Sequence, residues 1–313
     1  MKKNFNNKQE RIIYTAKFTV KKSDTLLEFL LNKCNTSRNN VKNLLVNKHV
    51  LVNGSVVSQH NFPLSKDDEI KISKNPIRAF ENKKSQGPKR PNFRIEFIYE
   101  DEDFIAFDKP AGLLAVESDN EREVTAYNYV LEYLQTIAKQ ARPYIIHRID
   151  KETSGVLVFA KSPQIHSALR LNWNELVNTR EYIAIAEGHF NLKEERIVNY
   201  LALNQNNLVY VTNDPSKQKA ITNYKVIKEN ASLSLLKVLI ETGRKNQIRV
   251  QLNNIGHPII GDEKYGFNYN PLKRLGLHAS YLEFKHPFKD KIIAIRAKTP
   301  AIFEALFKDN KRK

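Results

Sequence analysis

The segment 147–161, HRIDKETSGVLVFAK, constrains the fold of this chain more than any other segment. It places a carboxylate, Asp150, two residues after a cation, Arg148. The TSG tripeptide at 153–155 is typical of a turn, and the apolar run VLVFA after it is typical of a buried strand. We therefore expect one reactive acid at the rim of a sheet, with an arginine close to it.

Three other segments carry related information. They are FDKPAGLLAV at 107–116, ETGRKNQIRVQLNNIGHPIIGDEKYG at 241–266 and LHASYLEFKHP at 277–287. Together with HRID followed by TSG, these segments resemble the ordered motifs of the RluA-type pseudouridine synthases, a family of RNA-modifying isomerases. The resemblance spans residues 93–306 and implies an enzyme that converts uridine in RNA to pseudouridine.

The resemblance implies three catalytic residues. Asp150 matches the family's catalytic aspartate, which could be a nucleophile on the anomeric carbon or a base on the sugar; the sequence leaves both roles open. Tyr182 matches an active-site tyrosine whose ring can stack on the uracil. Arg249 lies in the QIRV segment, which we expect to be a strand, and its guanidinium would favour the ionised form of Asp150.

Further positions are expected around this centre. Arg148 matches the family arginine that enters the RNA helix where the target base has flipped out. Lys109, followed by Pro110, is expected to shape a loop that supports the pocket. Gln247 and its neighbour Asn246 are expected to satisfy backbone groups there.

The chain departs from the family pattern in three places. Asn246 and Gln251 stand where many members carry histidine, and the loop 117–123 lacks a His-Pro pair that some members have. These differences concern the substrate subclass and leave the reaction class unchanged. His147 is expected to be a hydrogen-bonded scaffold residue and not a general base.

The reaction itself limits what the site needs. Isomerisation breaks the glycosidic carbon–nitrogen bond, turns the uracil and joins its carbon 5 to the sugar, so no atoms are gained or lost. We therefore expect no cofactor and no metal. In agreement, the sequence contains no Walker loop, no GxGxxG and no Cys/His cluster with metal-ligand spacing.

The charge is strongly basic and unevenly distributed. The chain of 313 residues has a net charge of +17, and residues 1–92 carry 19 Lys and Arg but only 7 Asp and Glu. This balance indicates a polyanionic partner held chiefly by the N-terminal part. RNA fits best, with ribosomal RNA favoured over transfer RNA by the resemblance.

Membrane association is not expected, because no apolar stretch approaches the ~20 residues of a membrane span and the first residues lack a long apolar core. The single cysteine, Cys34, cannot form an intrachain disulfide and fits a reducing cytoplasm. We expect Cys34 to be a small core residue. A monomer is expected.

The N-terminal part predicts a small α+β unit. Asp24 is expected to cap a first helix and Ser37 a second. Asn53-Gly54 predicts a type I′ hairpin turn, and residues 69–73 a closing strand. The apolar positions expected inside the first helix are Leu26, Leu27, Leu30 and Leu31.

This N-terminal pattern resembles the RNA-binding domain of ribosomal small-subunit protein four. In that domain, the second helix and the following loop contact structured RNA. By the resemblance, Arg38, Lys42 and Lys48 are candidate RNA-binding residues. A generic basic module, whose lysines only keep it in solution, is the alternative.

The predicted fold class is α+β, with a mixed, largely antiparallel catalytic sheet flanked by helices and loops. The strand-like segments lack the regular strand–helix alternation of a parallel sheet. The expected segments are a basic extension (1–23), a small RNA-binding domain (24–75), a basic Pro-containing linker (76–92), the catalytic domain (93–306) and a basic tail (307–313).

Three other functions are weighed against parts of the sequence. A protein kinase is excluded, because the acid of HRID stands one position late and the Gly-rich loop and Asp-Phe-Gly site are missing. A non-catalytic RNA-binding or ribosome-assembly factor would not need Asp150, Tyr182 and Arg249 together. A synthase that modifies transfer RNA stays open.

Overall fold

The computed structural model describes residues 13–77, 93, 95–116, 124–266 and 269–308. Contacts divide the chain into two compact units, residues 1–87 and 88–313. Most of the expected linker, the whole loop 117–123 and the outer parts of the basic extension and tail lie outside the described residues.

In the described part of the N-terminal unit, a small sheet packs against two helices. Its elements are β1 (Tyr14–Thr19), β2 (Asp24–Thr25), α1 (Leu26–Cys34), α2 (Arg38–Val46), β3 (Val50–Val52), β4 (Ser55–Val56), β5 (Pro63–Leu64) and β6 (Glu69–Ser73). The sheet has the order β1-β6-β3-β4, and β2 pairs with β5. Because β1 pairs antiparallel with β6, the sheet begins at Tyr14, before the boundary expected at residue 24.

Local capping signals predicted one of the two helix starts correctly. Ser37 caps α2 and its Oγ accepts a hydrogen bond from the backbone N–H of Asn40 at 3.3 Å. The prediction for Asp24 was wrong, because the residue before α1 is Thr25. Asp24 pairs with Leu64 in the β2–β5 ladder instead, and its carboxylate accepts from the Thr25 N–H at 2.7 Å.

The hairpin and the core of this unit follow the sequence pattern. Asn53 and Gly54 have φ angles of 50° and 80°, the left-handed values that a type I′ turn requires. Cys34 is half-buried and packs against the core, as predicted, and burial raises the pKa of its thiol. The side chains at the centre of the core include Leu26, Leu27, Leu30, Val41, Leu45 and Ile70.

One large sheet organises the C-terminal unit. Its strands are β7 (Glu96–Glu100), β8 (Phe104–Lys109), β9 (Tyr144–Ile145), β10 (Ser154–Ala160), β11 (Val177–Glu187), β12 (Glu194–Leu203), β13 (Val209–Thr212), β14 (Gln218–Glu229), β15 (Leu233–Ile240), β16 (Leu277–Lys285) and β17 (Ile292–Arg296). The helices are α3 (Ala126–Ile137), α4 (Pro163–Leu171), α5 (Trp173–Leu176), α6 (Gln247–Asn254) and α7 (Ala301–Ala305).

The sheet runs in the order β13-β12-β14-β15-β11-β16-β10-β8-β7, with β17 beside β16 and β9 beside β10. The pairing between β10 and β16 is parallel, whereas the other ladders of this sheet are antiparallel. The predicted mixed, largely antiparallel fold is thereby confirmed.

Strand β10 is buried along its whole length. Its alternate side chains enter opposite faces of the sheet, so that Val156 and Val158 belong to one core and Leu157 and Phe159 to another, beside α3. At its start, Gly155 has φ +117°, and a Cβ atom there would lie 2.1 Å from the Ala279 carbonyl oxygen. Only glycine allows this close approach of β10 to β16.

Two helices of this unit begin at polar side chains that cap them. Thr125 and Asn128 form a capping box at α3, and Ser162 caps α4 by accepting from the Ile165 N–H at 3.3 Å. The prediction of a QIRV strand was wrong, because these residues open α6. The first six residues of α6 are all buried, and a short run that is buried on every side cannot be distinguished from a strand by its periodicity.

Candidate active site

Asp150 lies in a tight turn between β9 and β10. The backbone N–H of Thr153 donates to the Asp150 carbonyl at 3.1 Å, so the turn runs from Asp150 to Thr153. It therefore begins before the TSG tripeptide at which it was expected, since Ser154 and Gly155 already belong to β10. The Asp150 side chain is 32% exposed, so its carboxylate is accessible at the rim of the sheet.

Lys109, at the end of β8, is fully buried beneath this turn. Its Nζ donates to the carbonyl oxygens of Pro110, Leu113 and Lys151 at 3.0, 2.7 and 2.9 Å. These bonds link the loop after β8 to the residue that follows Asp150. Burial lowers the pKa of the Lys109 ammonium to about 7, although nearby carboxylates favour its charged form.

Arg249, on α6, contacts two carboxylates. Its Nε and Nη2 donate to Asp262 at 2.7 and 2.6 Å, and its Nη1 lies 3.4 Å from Asp150 Oδ2. Burial opposes the charge, but the two carboxylates raise the pKa of Arg249. The structure thus brings Arg249 to Asp150, as the sequence suggested, and adds a buried partner, Asp262, that the sequence reasoning missed. The one sequence feature that could have indicated Asp262 is its position as an acid at the end of the largely apolar segment GHPIIGD.

Asn246 supplies a second contact to Asp150. It precedes α6 in the left-handed conformation, with φ 52°. In the amide orientation that satisfies both neighbours, its nitrogen donates to Asp150 Oδ2 at 2.8 Å and its oxygen accepts from the Tyr265 hydroxyl at 3.0 Å. The expectation that Asn246 satisfies backbone groups is therefore corrected, because its side chain bridges two side chains.

Gln247 does satisfy backbone groups. Its Oε1 accepts from the Arg244 N–H at 3.0 Å, and its Nε2 donates to the Ile221 carbonyl at 3.0 Å. Further hydrogen bonds join it to Thr242 and Thr222. This buried amide fastens the turn before α6 to β14.

Tyr182 lies on β11, between Val238 of β15 and Ala279 of β16. Burial raises the pKa of its phenol to about 12, and the nearby carboxylate of Asp150 acts in the same direction, against the charge of Arg180. The Tyr182 hydroxyl is therefore protonated at neutral pH and can donate a hydrogen bond.

His147 and Arg148 differ in their surroundings. The Val158 N–H donates to His147 Nε2 at 3.3 Å, and the imidazole packs on the Trp173 ring at 5.9 Å. Burial, with the charge of Arg180, lowers the pKa of His147 to about 4. His147 is hydrogen-bonded, as predicted. Arg148 is exposed and forms no hydrogen bond or ion pair within the residues that the structure describes.

The candidate RNA-binding residues of the N-terminal unit are all exposed. Arg38 and Lys42 lie one turn apart on α2 and so share a face, and Lys48 lies in the turn that follows. Arg38 also pairs with Glu28 at 3.2 Å.

The chain is similar in sequence to several known proteins. The family model described as RNA pseudouridylate synthase matches residues 103–254. An uncharacterised RNA pseudouridine synthase of Bacillus subtilis is 33% identical over 66% of this chain and 69% of its own length. Ribosomal large subunit pseudouridine synthase D of Haemophilus ducreyi is 31% identical over 88% of both chains.

The chain belongs to the RluA-type RNA pseudouridine synthases.

A solved structure shares the fold of this synthase. Human RNA Pseudouridylate Synthase Domain Containing 1 aligns with a TM-score of 0.56 over 69% of this chain and 89% of that chain, at 19% identity. The family match includes Asp150, Tyr182 and Arg249, whereas Asp262 and Tyr265 lie beyond its end.

The described residues of the synthase lack two features, a membrane-spanning helix and a metal-binding cluster. None of the described helices combines the length and apolar character that a membrane span requires. Within the same residues, no three His, Cys, Asp or Glu side chains lie close enough together to hold a metal ion.

Proposed function

We propose that this synthase converts uridines of ribosomal RNA to pseudouridine with Asp150 as its catalytic carboxylate. The proposal depends on the environment of Asp150, a half-exposed acid at the rim of the sheet. Arg249 and Asn246 contact one of its oxygens, and Tyr182 lies close enough for the carboxylate to raise its pKa. A carboxylate held in this way is oriented and still accessible.

The catalytic step requires the ionised form of Asp150. The carboxylate either attacks the anomeric carbon or removes a proton from the sugar, and the glycosidic bond to the uracil breaks. Arg249 is anchored by Asp262, so its Nη1 stabilises the charge of Asp150 in a fixed direction. The neutral hydroxyl of Tyr182 would donate a hydrogen bond while its ring packs on the base.

Arg148 would act on the RNA helix. Its exposed guanidinium is two residues from Asp150 in the chain and free of partners in the described residues. A planar cation can stack and hydrogen-bond in the gap that a flipped base leaves, which offsets part of the few kcal/mol that flipping requires.

The N-terminal unit would be an RNA-binding domain of the type found in ribosomal small-subunit protein four. Its strong positive charge and the exposed Arg38, Lys42 and Lys48 support this role. The alignment to the Haemophilus ducreyi protein covers 88% of this chain, a share too large to fit within residues 88–313 alone. That protein is named for the large ribosomal subunit, which favours ribosomal over transfer RNA as the substrate.

Mapping pseudouridines tests both parts of the proposal. Total RNA would be compared between cells with the gene, cells without it, and cells complemented by Asp150→Asn. We expect a ribosomal uridine to lose modification without the gene and to stay unmodified with Asp150→Asn, because the amide is neither nucleophile nor base. Asp290→Asn makes the same chemical change at an exposed position and should restore modification.

The outcomes that contradict the proposal are distinct. Full modification with Asp150→Asn would remove Asp150 from catalysis. Loss of modification in transfer RNA alone would reassign the substrate.

A further inference from the structure

A groove of about 340 Å³ opens on the sheet beside Tyr182. It lies along the first residues of β11, the last residues of β15 and the middle of β14. The polar side chains that line it include Arg180, Asn223 and Glu241.

Arg180 is held rigidly in this groove. Its Nη2 donates to the Glu241 carbonyl at 2.6 Å, and its guanidinium carbon lies 5.9 Å from the centre of the Trp173 ring. The guanidinium also lies against Gly243, where a Cβ atom would be 2.7 Å from Nη1. A guanidinium fixed in this way loses little freedom when it binds a ligand.

A second arginine, Arg244, follows Gly243 in the chain and so lies at the edge of the groove, close to Arg180. Arg244 donates from Nε to the Lys219 carbonyl at 3.0 Å. Within the described residues, neither Arg180 nor Arg244 pairs with a carboxylate. Burial lowers the pKa of Arg180, and the charge of Arg244 lowers it further, whereas Tyr182 opposes them.

The one acid that lines the groove does not neutralise this pair. The carboxylate of Glu241 receives both hydrogen bonds of a fork from Arg196, at 2.9 and 2.8 Å, and a third from Asn223 at 3.0 Å. These bonds hold the pKa of Glu241 at about 2. The groove therefore carries an excess of positive charge that an anion would balance.

The groove adjoins the proposed uridine site. Arg180 and Tyr182 are two residues apart on β11, so their side chains emerge on the same face of the sheet. The charge of Arg180 also acts on Tyr182 and on His147 of the HRID segment. An RNA strand whose uridine reaches Asp150 would thus continue past Arg180.

We propose that this groove binds the phosphodiester backbone of the RNA strand next to the target uridine, with Arg180 and Arg244 as its phosphate ligands. Guanidinium groups suit this task because their planar forks match phosphate oxygens. The inference rests on the proposed function, since it deepens the same site.

Salt-dependent binding tests the groove. The full chain carrying Asp150→Asn would bind a short oligouridylate, so that affinity is measured without turnover. Adding Arg180→Gln or Arg244→Gln should each lower the slope of log affinity against log salt by about 0.7. The affinity lost between about 50 and 200 mM salt should accordingly shrink by about threefold for each arginine.

The matched control is Lys193→Gln, which removes one exposed charge just before β12, where Lys193 pairs with Glu229 at the last residue of β14. It should leave the slope unchanged. With an oligomer in which methylphosphonates replace the phosphates, the arginine variants and their parent should bind equally. Arg244 is exposed, so Arg244→Gln keeps the test valid if Arg180→Gln does not fold.

Unchanged slopes in a folded Arg244→Gln protein would overturn the proposal, as would an equal decrease with Lys193→Gln. Either failure would leave the modification of ribosomal RNA by the wild type untouched. A failure of the proposed function would appear instead as modification by Asp150→Asn, which these slopes do not measure.

Discussion

Arg249 and Asp262 form a bidentate ion pair inside the C-terminal unit, with nitrogen–oxygen distances of 2.7 and 2.6 Å. Their side chains are only 4% and 0% exposed. The third nitrogen of the guanidinium, Nη1, faces Asp150 at 3.4 Å. The buried carboxylate of Asp262 therefore fixes the orientation in which the Arg249 guanidinium faces Asp150.

Removal of the buried acid should destabilise the protein. Asp262→Ala leaves Arg249 buried without its main partner, and we expect the free energy of unfolding to fall by about 3–5 kcal/mol. Urea unfolding followed by circular dichroism measures this change. The exposed Asp290→Ala should change the value by less than about 0.5 kcal/mol. A similar small change in Asp262→Ala would contradict the structural role of the ion pair.

The partly buried, neutral His147 should make the fold sensitive to acid. Burial lowers the pKa of His147 to about 4, below its ordinary 6.5. Between these values, the unfolded chain binds a proton that the folded chain does not, so stability rises with pH across this window and is lost as pH falls. His147→Gln, which keeps an acceptor for the Val158 N–H, should reduce this slope by up to about 1.4 kcal/mol per pH unit.

Urea unfolding at a series of pH values between the two pKa values checks this expectation. His60→Gln, at an exposed position, is the control and should retain the slope of the wild type. An unaltered slope in His147→Gln would show that another group causes the acid sensitivity.

Arg148 should matter most when the target base is paired. Arg148→Ala is expected to slow modification of a uridine in a stem far more than that of a uridine in a flexible loop, because unstacking and unpairing require a few kcal/mol only in the stem. Single-turnover rates on two short RNAs that differ only in pairing of the target provide the measurement. An equal loss on both would assign Arg148 to positioning of Asp150 or of a phosphate.

The N-terminal unit should contribute to the salt dependence of RNA binding. The double variant Lys42→Gln/Lys48→Gln should lower the slope of log affinity against log salt by up to about 0.7–0.9 for each lysine that contacts a phosphate. Lys33→Gln/Lys66→Gln removes the same charge from exposed positions elsewhere in the unit. If both double variants lower the slope equally, the unit attracts RNA only through its overall charge.

Local signals predicted many elements well. The strand at residues 69–73 has the bounds that its alternating apolar residues suggested. Thr125 and Ser162 stand at the helix starts that their side chains favour. Helix caps and strand periodicity depend on residues that are close together in the chain, so they can be recognised from the sequence alone.

The QIRV prediction failed where burial on every side removes such signals. In the structure, the QIRV segment begins a buried helix, and its polar Gln247 and Gln251 hydrogen-bond to backbone carbonyls of β14. Its amino-acid pattern alone fits a strand equally well.

The sequence by itself determined the family, the mixed antiparallel architecture and the presence of an acid, Asp150, at the start of a buried strand. Only the tertiary structure decided which groups surround that acid. Arg249, Asn246 and Tyr265 meet around Asp150 because α6 and the segment after it return to the β9–β10 turn. Hydrogen bonds and ion pairs require distances of about 3 Å. These residues are far apart in the sequence, and nothing in the sequence shows that the fold brings them so close.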